Sequence, residues 1–466
     1  MKIEKKNVLL IVPDGVGVKN YLYSNVFKEL RNSSNLEIWS NLSSDYLKEN
    51  IPNYSNTVRI QDFTIFDQPI LSRFFWEASC WARLVYFSKK LSNPTLLFNR
   101  TRSKKYSFLS FFLFLSRLLG YIISLNYVFI LWTEKLSRFL WEGKMISFYI
   151  NILKKNKYDS ILITHQRIVN LNPLCLAAEK LNIKVFSVIF SWDNIPKAKL
   201  SIKADYFLVW SDLMKKELNF FYPEIDNEKI LITGTPQFEF YLEPERVLDR
   251  EEFAKIYDLD ANKKWICFSG DDHYTSPYDP LYVQDLLESL MSVDANSRPH
   301  IILRKAPSDL SDRYDFLKEN FPDLITFINP ILYTKNKLNW DGILTSYKDI
   351  DLLVNISFHC ELVVNIGSTM ALDFATFNKP CIFINYNTIV SSAWTIDTIY
   401  KFHHFNSLRD LSPVVFIDSK NNWSELILKI FENPLEFAPD KLTWFERIVL
   451  HPIDEASRNI SSAITS

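Results

Sequence analysis

The stretch "NIGSTMALDFATFNKPCIFINY", Asn365–Tyr386, decides the fold. It leaves an apolar approach, turns on Gly367-Ser368-Thr369, and carries one acid, Asp373, among small and apolar residues. It then breaks at Asn378-Lys379-Pro380 and returns to an apolar run. The pattern predicts a strand over Val363–Asn365, a helix over Ser368–Phe377 and a strand over Cys381–Asn385. Gly-Ser-Thr then falls at a helix N-terminus, where free backbone N–H groups and the helix dipole favour an anion such as a diphosphate. Gly367 lets the backbone approach closely. Thr369 and Asp373 are four residues apart, share a helix face, and place an ionised acceptor where it could meet a diol. Pro380 ends the helix. Ser368 acting only as a helix cap is the plain alternative.

Working outward, short apolar runs alternate with helical segments. Strands are expected at Val8–Val12, Leu36–Trp39, Ser160–Thr164, Val185–Phe190, Tyr206–Trp210 and Ile230–Thr233, with a helix over Asn20–Leu30. Alternation of this kind argues for parallel sheets covered on both faces. The charged stretch Leu242–Lys264 reads as a linker into a second unit, which begins at "WICFSGDD" and alternates in the same way. The organisation expected is an N-terminal Rossmann-like domain over 1–243, a C-terminal one over 244–434, and a helical tail over 435–466 with the option of packing back on the first domain. An apolar helical insertion is expected over about 74–152.

Within that insertion, "YSFLSFFLFLSRLLGYIISLNYVFILW" (Tyr106–Trp132) follows the basic "RTRSKK". It is long enough to span a bilayer, and its flank suits anionic lipid. Arg117 argues against a span, since Arg at mid-membrane costs about 2.5–3.5 kcal/mol. A pair of buried helices broken near Arg117 or Gly120, and an interfacial lipid-facing patch, are the other two readings.

The totals exclude several classes. Across 466 residues the net charge is -1, so no global basic field points to nucleic acid. The five cysteines, Cys80, Cys175, Cys267, Cys360 and Cys381, have no C-x-x-C spacing, which suits buried thiols in a reducing compartment. No H-E-x-x-H or Cys/His cluster indicates a metal. The apolar run after the basic N-terminus is too short for an export signal and reads as a first strand.

"GSTMALDFATFNKPCI" resembles the nucleotide-binding element in the C-terminal domain of GT-B-fold glycosyltransferases, and is similar to that of CDP-glycerol glycerophosphotransferases and non-hydrolysing UDP-N-acetylglucosamine 2-epimerases. "FSWDNIPKAKLSIKADYFLVWSDLMKKEL" and "KILITGTPQFEFY" resemble segments near the end of the N-terminal domain in bacterial relatives. The resemblance implies an α/β GT-B fold, with two Rossmann-like domains whose parallel sheets face across a cleft. It implies that Gly367, Ser368 and Thr369 hold a donor diphosphate, that Asp373 meets the ribose, and that Arg304 and Lys305 in "HIILRKAP" supply countercharge without a metal. Gly270 and Ser276, after the first strand of the second domain, are further donor-side candidates.

In the first domain, "VPDGVGVKNYLYS" begins like a dinucleotide fingerprint but has Asn20 at the third glycine position, and no acid closes the second strand. The resemblance implies a cleft-lining glycine loop there, with Gly15, Gly17 and Lys19. A general base for an acceptor hydroxyl is sought at strand ends: Asp14, His165 and Asp193 are the candidates. Trp192 could stack on a base or sugar ring, with a buried anchor as the alternative. His403 and His404 could line the same cleft or form a surface pair. His359-Cys360-Glu361 is no nucleophile set, because neighbours on a strand point to opposite faces.

The expected activity is metal-independent transfer of a sugar from a nucleotide-sugar, with no further cofactor, to a glycan or lipid-linked acceptor in bacterial surface polysaccharide synthesis. The expected location is the cytoplasm, with a peripheral site on the inner membrane surface left open. A glycerophosphotransferase, a UDP-sugar epimerase and a non-catalytic membrane-docked assembly protein are the alternatives.

Overall fold

Seven short apolar strands near the N-terminus pair in parallel: β1 (Lys6–Val12), β2 (Ser34–Ser40), β3 (Arg59–Asp62), β4 (Ser160–Ile163), β5 (Lys184–Val188), β6 (Tyr206–Val209) and β7 (Ile230–Ile232). Six more form a second parallel sheet: β8 (Trp265–Ser269), β9 (His300–Arg304), β10 (Ile325–Phe327), β11 (Leu362–Asn365), β12 (Cys381–Ile384) and β13 (Val415–Ile417). The central strands are buried along most of their length, which is why they read as continuous apolar runs and not as alternation. The computed structural model describes residues 5–52, 54–100, 108–333, 343–389 and 394–466. Residues 101–105 of the basic flank lie outside them.

The sheet orders are β3-β2-β1-β4-β5-β6-β7 and β10-β9-β8-β11-β12-β13. Each order reverses once, between β1 and β4 in the first sheet and between β8 and β11 in the second. Loops leaving the carboxyl ends of those two central strands diverge to opposite faces, so a crevice opens between them.

The chain divides into two compact units. The first is Met1–Pro236 with Lys401–Asn406 and Ile448–Ser466; the second is Gln237–Tyr400 with Ser407–Arg447. The terminal helix Ala456–Thr465 packs in the first unit, where the Ser160 hydroxyl donates to the Ile464 carbonyl at 3.2 Å. The charged stretch read as a linker is instead folded into the second unit. Arg246 donates to Glu243 and to Tyr347, and Arg250 lies over the Trp265 ring at 3.7 Å while donating to three carbonyls. Its charges are satisfied locally, so high charge does not make it a solvated spacer.

The apolar insertion is a set of helices on the first unit. Ile70–Lys90 is central, and Phe108–Ile123 and Tyr127–Phe139 lie against it. The expected break at Arg117 or Gly120 does not occur; the chain turns at 124–126, where Asn126 caps the next helix. The 16 residues of Phe108–Ile123 reach only about 24 Å, short of the ~30 Å hydrocarbon layer. No helix among the described residues is long and apolar enough to cross a membrane. These helices are core on one face only: Ile123 and Ile130 pack with Ala78 and Ala82, while Phe111, Phe114, Leu118, Ile122, Trp132 and Phe139 are exposed.

Two features hold the insertion. Arg83 is buried and donates to Glu134 at 2.8 Å and Glu224 at 2.9 Å, with its guanidinium over Tyr222 at 4.2 Å. Removing the arginine of such a set leaves two carboxylates without their cation, which costs about 3–5 kcal/mol. At Gly120 the helices approach so closely that a Cβ would sit 2.8 Å from the Ala78 carbonyl oxygen and 2.9 Å from Trp81 Cδ1. Gly120→Ala should therefore destabilise by about 1–3 kcal/mol through overpacking. Gly143→Ala, at a helix start with open space around it, should not. Urea midpoints of the two variants check this, with unchanged slopes expected.

Candidate functional site

At the switch point of the first sheet, two of the candidate bases meet. Asp14 follows β1 and His165 follows β4, and Asp14 Oδ2 lies 2.5 Å from His165 Nδ1. Both side chains are buried. Asp14 Oδ1 also accepts the Gly17 N–H at 2.7 Å, capping the turn Gly15–Gly17. The His165 ring stacks on Phe190 at 4.6 Å. A carboxylate is an acceptor only, so the neutral imidazole must carry its proton on Nδ1 and present Nε2 as the basic nitrogen. The two candidate bases are therefore hydrogen-bonded to each other and are not separate sites.

The glycine loop expected here is a helical turn. Gly15–Gly17 runs into the π-helical Val18–Leu22, which carries Lys19, half-buried, and Asn20, buried. Both glycines are buried. A Cβ on Gly17 would fall 2.7 Å from Thr164 Oγ1 and 3.1 Å from Val12 Cγ1. Gly17 is thus required by the approach of this turn to β4, and this approach sets the Asp14–His165 geometry.

Asp193 belongs to a different cluster. It is paired with Lys197 one turn later and accepts from the Asn194 side chain at 2.8 Å. Desolvation alone would raise its carboxyl, but Lys197 and His404 outweigh this and hold it below the usual carboxylate range. An acid so committed is a poor proton acceptor. Trp192 is a buried anchor, edge-on to His404 at 4.9 Å. His403 and His404 are no surface pair: desolvation pushes His404 down to about 4 despite Asp193, and His403 Nε2 lies 3.5 Å from Glu217 Oε1. Glu217, on the Asp212–Phe221 helix, is pushed up to about 8 by burial and by Asp193.

In the second unit, Gly367 follows β11 at the switch point and takes φ +71°, a left-handed value that suits glycine. Ser368 N–H donates to the Asn365 side chain at 2.9 Å, and the helix begins at Met370, not Ser368. Gly367 and Ser368 are half-buried and Thr369 is exposed. Asn378, at φ +55°, ends the turn after the helix, just before Lys379-Pro380. Asp373 accepts the Tyr241 hydroxyl at 2.7 Å, so one of its oxygens is already engaged.

Three donor-side candidates face inward. Arg304 is buried and places Nη2 2.9 Å from both oxygens of Asp349, while its Nη1 is buried with no hydrogen-bond partner. Gly270 follows β8 with the Tyr314 hydroxyl where a Cβ would stand; the space belongs to the protein, not to a ligand. Ser276 is buried and donates to Asp279. Lys305 is half-buried and donates to the Ser311 carbonyl at 2.7 Å. Beside them burial and Asp272 push Asp271 up to about 7, and burial pushes Asp279 up to about 6 against Ser276 and Arg313. Among the described residues no cluster of His, Cys, Asp and Glu could hold a metal ion.

No protein-family model matches the sequence, and no curated protein matches it. Solved structures do match end to end. A putative UDP-N-acetylglucosamine 2-epimerase from Listeria monocytogenes superposes with a TM-score of 0.55 at 11% identity, covering 99% of this chain and 96% of that one. The S. aureus MnaA–UDP co-structure gives 0.52 at 10% identity, with 98% and 94% covered. UDP-GlcNAc 2-epimerase from Neisseria meningitidis bound to UDP-GlcNAc gives 0.50 at 11%, with 98% and 99% covered. The fold is GT-B.

Within this GT-B fold, sequence reasoning missed Lys197, Glu217, Tyr241 and Arg313. Glu217 sits in "DLMKKELNF", which reads as an ordinary solvated helix face, and Tyr241 is 132 residues from the acid it meets. No local pattern marks either. The raised acids carry a signature in stability. Between its ordinary value of 4.5 and about 8 the folded Glu217 holds more proton than the unfolded chain does. Its contribution to stability is thus full below about 4.5 and is lost as pH rises toward 8. Glu217→Gln should flatten the fall in denaturation midpoint across that window, leaving the smaller slopes from Asp271 and Asp279; a pH series of melts reads this directly.

Proposed function

We propose that this chain is a glycosyltransferase that moves a sugar from a nucleotide-activated donor to a lipid-linked glycan acceptor. The observation that carries the reading is the Asp14–His165 pair at the switch point of the first sheet. The acceptor hydroxyl gives its proton to His165 Nε2 while Asp14 steadies the imidazolium that forms. The acceptor oxygen bonds to the anomeric carbon as the bond from that carbon to the nucleotide diphosphate breaks. The leaving diphosphate keeps the electron pair, and the turn Gly367–Thr369 receives its charge through groups other than the Ser368 N–H, which Asn365 already engages. Asp373, braced by Tyr241, is assigned to the ribose. Arg304, with one arm on Asp349, and Lys305 are the strand-end cations assigned to the donor side. The displacement draws its countercharge from these protein groups without a metal.

The lipid-linked acceptor is supported by the exposed apolar side chains on Phe108–Ile123 and Tyr127–Phe139. A soluble sugar acceptor needs no such surface, and a contiguous apolar patch of this kind marks an interaction site. The working location is accordingly the inner face of the cytoplasmic membrane, held peripherally. Epimerisation of a UDP-sugar is the second reading, favoured by what the Neisseria and S. aureus proteins bind; it would convert donor with no acceptor present.

A thermal-shift panel of nucleotides and nucleotide-sugars tests the donor half. The true donor at about 100 times its Kd should stabilise by about 2.7 kcal/mol, and Gly367→Val should abolish the shift while melting as a folded protein. If no nucleotide moves the melting temperature, the reading fails. His165→Gln should leave the donor shift intact and lower kcat by about 10²–10⁴-fold. Donor isomerised without acceptor would decide for the second reading.

A further inference from the structure

The loop "GDDHYTSPY", Gly270–Tyr278, leaves the carboxyl end of β8 and runs to the helix Asp279–Leu290. It carries no lysine or arginine. The arginine that faces it, Arg313, is committed: Nε donates to Asp309 at 2.8 Å and Nη1 to the Ser276 carbonyl at 2.7 Å, while Nη2 serves the Asp271 carbonyl and the Tyr314 hydroxyl. The loop is also fixed from within. Asp279 accepts the Asp271 N–H at 2.7 Å. Asp272 accepts the Tyr274 and Thr275 N–H groups at 2.8 and 3.0 Å and the Thr275 hydroxyl at 2.8 Å. The Trp394 indole N–H donates to the Thr275 carbonyl at 2.7 Å.

What this fixed loop presents is aromatic and acidic. Tyr274 is 71% exposed, and its ring contact among the described residues is the exposed His273 imidazole, edge-on at 5.8 Å. Asp271 is half-buried; its Oδ1 accepts the Asp272 N–H at 2.7 Å, and its Oδ2 takes no hydrogen bond among the described residues. Burial and Asp272 push the Asp271 carboxyl up to about 7, so near neutrality it occurs both as a donor and as an acceptor. A single exposed tyrosine is ordinary on a protein surface. One held on a fixed loop at a switch point, beside an open carboxyl oxygen and without a spare cation, has the chemistry of a polyol site. An aromatic face packs on the C–H face of a pyranose while carboxyl oxygens bond its hydroxyls. A phosphate would meet acids here.

The position in the sheet agrees. Asp271 is the second residue after β8, and Gly367 is the second after β11, the neighbouring parallel strand. Both loops leave the same end of the sheet on adjoining strands. A sugar is joined directly to the diphosphate assigned to the Gly367 turn, so its ring falls beside that turn.

We propose that Tyr274 and Asp271 bind the sugar ring of the nucleotide-sugar, Tyr274 by stacking on the ring and Asp271 Oδ2 by bonding its hydroxyls. The inference rests on the transferase reading and deepens it. Phosphate recognition stays with Gly367–Thr369, and the choice of sugar falls to the loop after β8.

Affinities of the full chain for matched pairs test it: UDP with UDP-N-acetylglucosamine, GDP with GDP-mannose, CDP with CDP-glucose, and dTDP with dTDP-rhamnose. For the pair that binds, Tyr274→Ala should weaken the nucleotide-sugar by about three- to tenfold, the range of one aromatic contact, and leave the bare nucleotide unchanged. Tyr274→Phe, which keeps the ring, should match wild type. Asp271→Ala should act in the same sense as Tyr274→Ala, and Asp271→Asn should restore binding. The melting temperature without ligand should not move in either Tyr274 variant, since that ring is exposed. The proposal is overturned if Tyr274→Ala weakens nucleotide and nucleotide-sugar alike, if it changes neither, or if it raises only the KM for the acceptor. Binding of bare nucleotides with no conjugate bound overturns it too. Failure of the transferase reading looks different: no nucleotide moves the melting temperature at all, and this inference falls with it.

Discussion

Parallel strands cannot be joined by tight hairpins; each needs a crossover, and a doubly wound sheet must reverse its winding once. That single reversal, between β1 and β4 and again between β8 and β11, is the constraint on which the rest depends. It separates the loops at the carboxyl ends of the central strands and leaves a crevice there. Asp14 and His165 stand at the first, Gly367 and Thr369 at the second. Their positions follow from winding and not from any local preference of the residues themselves.

Charge placement sorts the remaining candidates. An ion inside a protein must be paired and hydrogen-bonded or it is too costly to bury. Arg304 with Asp349, and Arg83 with Glu134 and Glu224, obey this rule, which commits Arg83 to structure. Asp193 with Lys197 is committed in the same way. Groups whose environment leaves a protonation state poised, Glu217 near 8 and Asp271 near 7, are the ones burial has made expensive to ionise. Such groups are rare in a core and concentrate where chemistry is done.

The helical insertion shows the opposite economy. Its inner faces are packed so tightly that Gly120 has no room for a methyl group, while its outer faces leave Phe111, Trp132 and Phe139 in the open. Apolar area of this extent is destabilising in water unless something covers it. The charged residues Arg73, Glu77, Arg117 and Lys199 give that face a polar edge beside the apolar one.

Legibility in the sequence followed the range of the interactions. Strand runs such as Val8–Val12 and Cys381–Ile384 were readable because burial on both faces of a parallel strand imprints a continuous apolar run. The turn at Gly367 and the stop at Asn378-Lys379-Pro380 were readable because backbone sterics act within a few residues. The length and apolarity of Phe108–Trp132 were plain, yet its reading stayed open, because periodicity does not say whether a neighbouring helix, a core or a lipid covers the face. Tertiary structure alone decided that Asp14 and His165, 151 positions apart, are partners, that Arg304 turns inward to Asp349, and that Glu217 lies in a cluster with His403. Such pairings depend on where the crossovers deliver each strand end, and a side chain's partner across that distance leaves no trace in its local sequence.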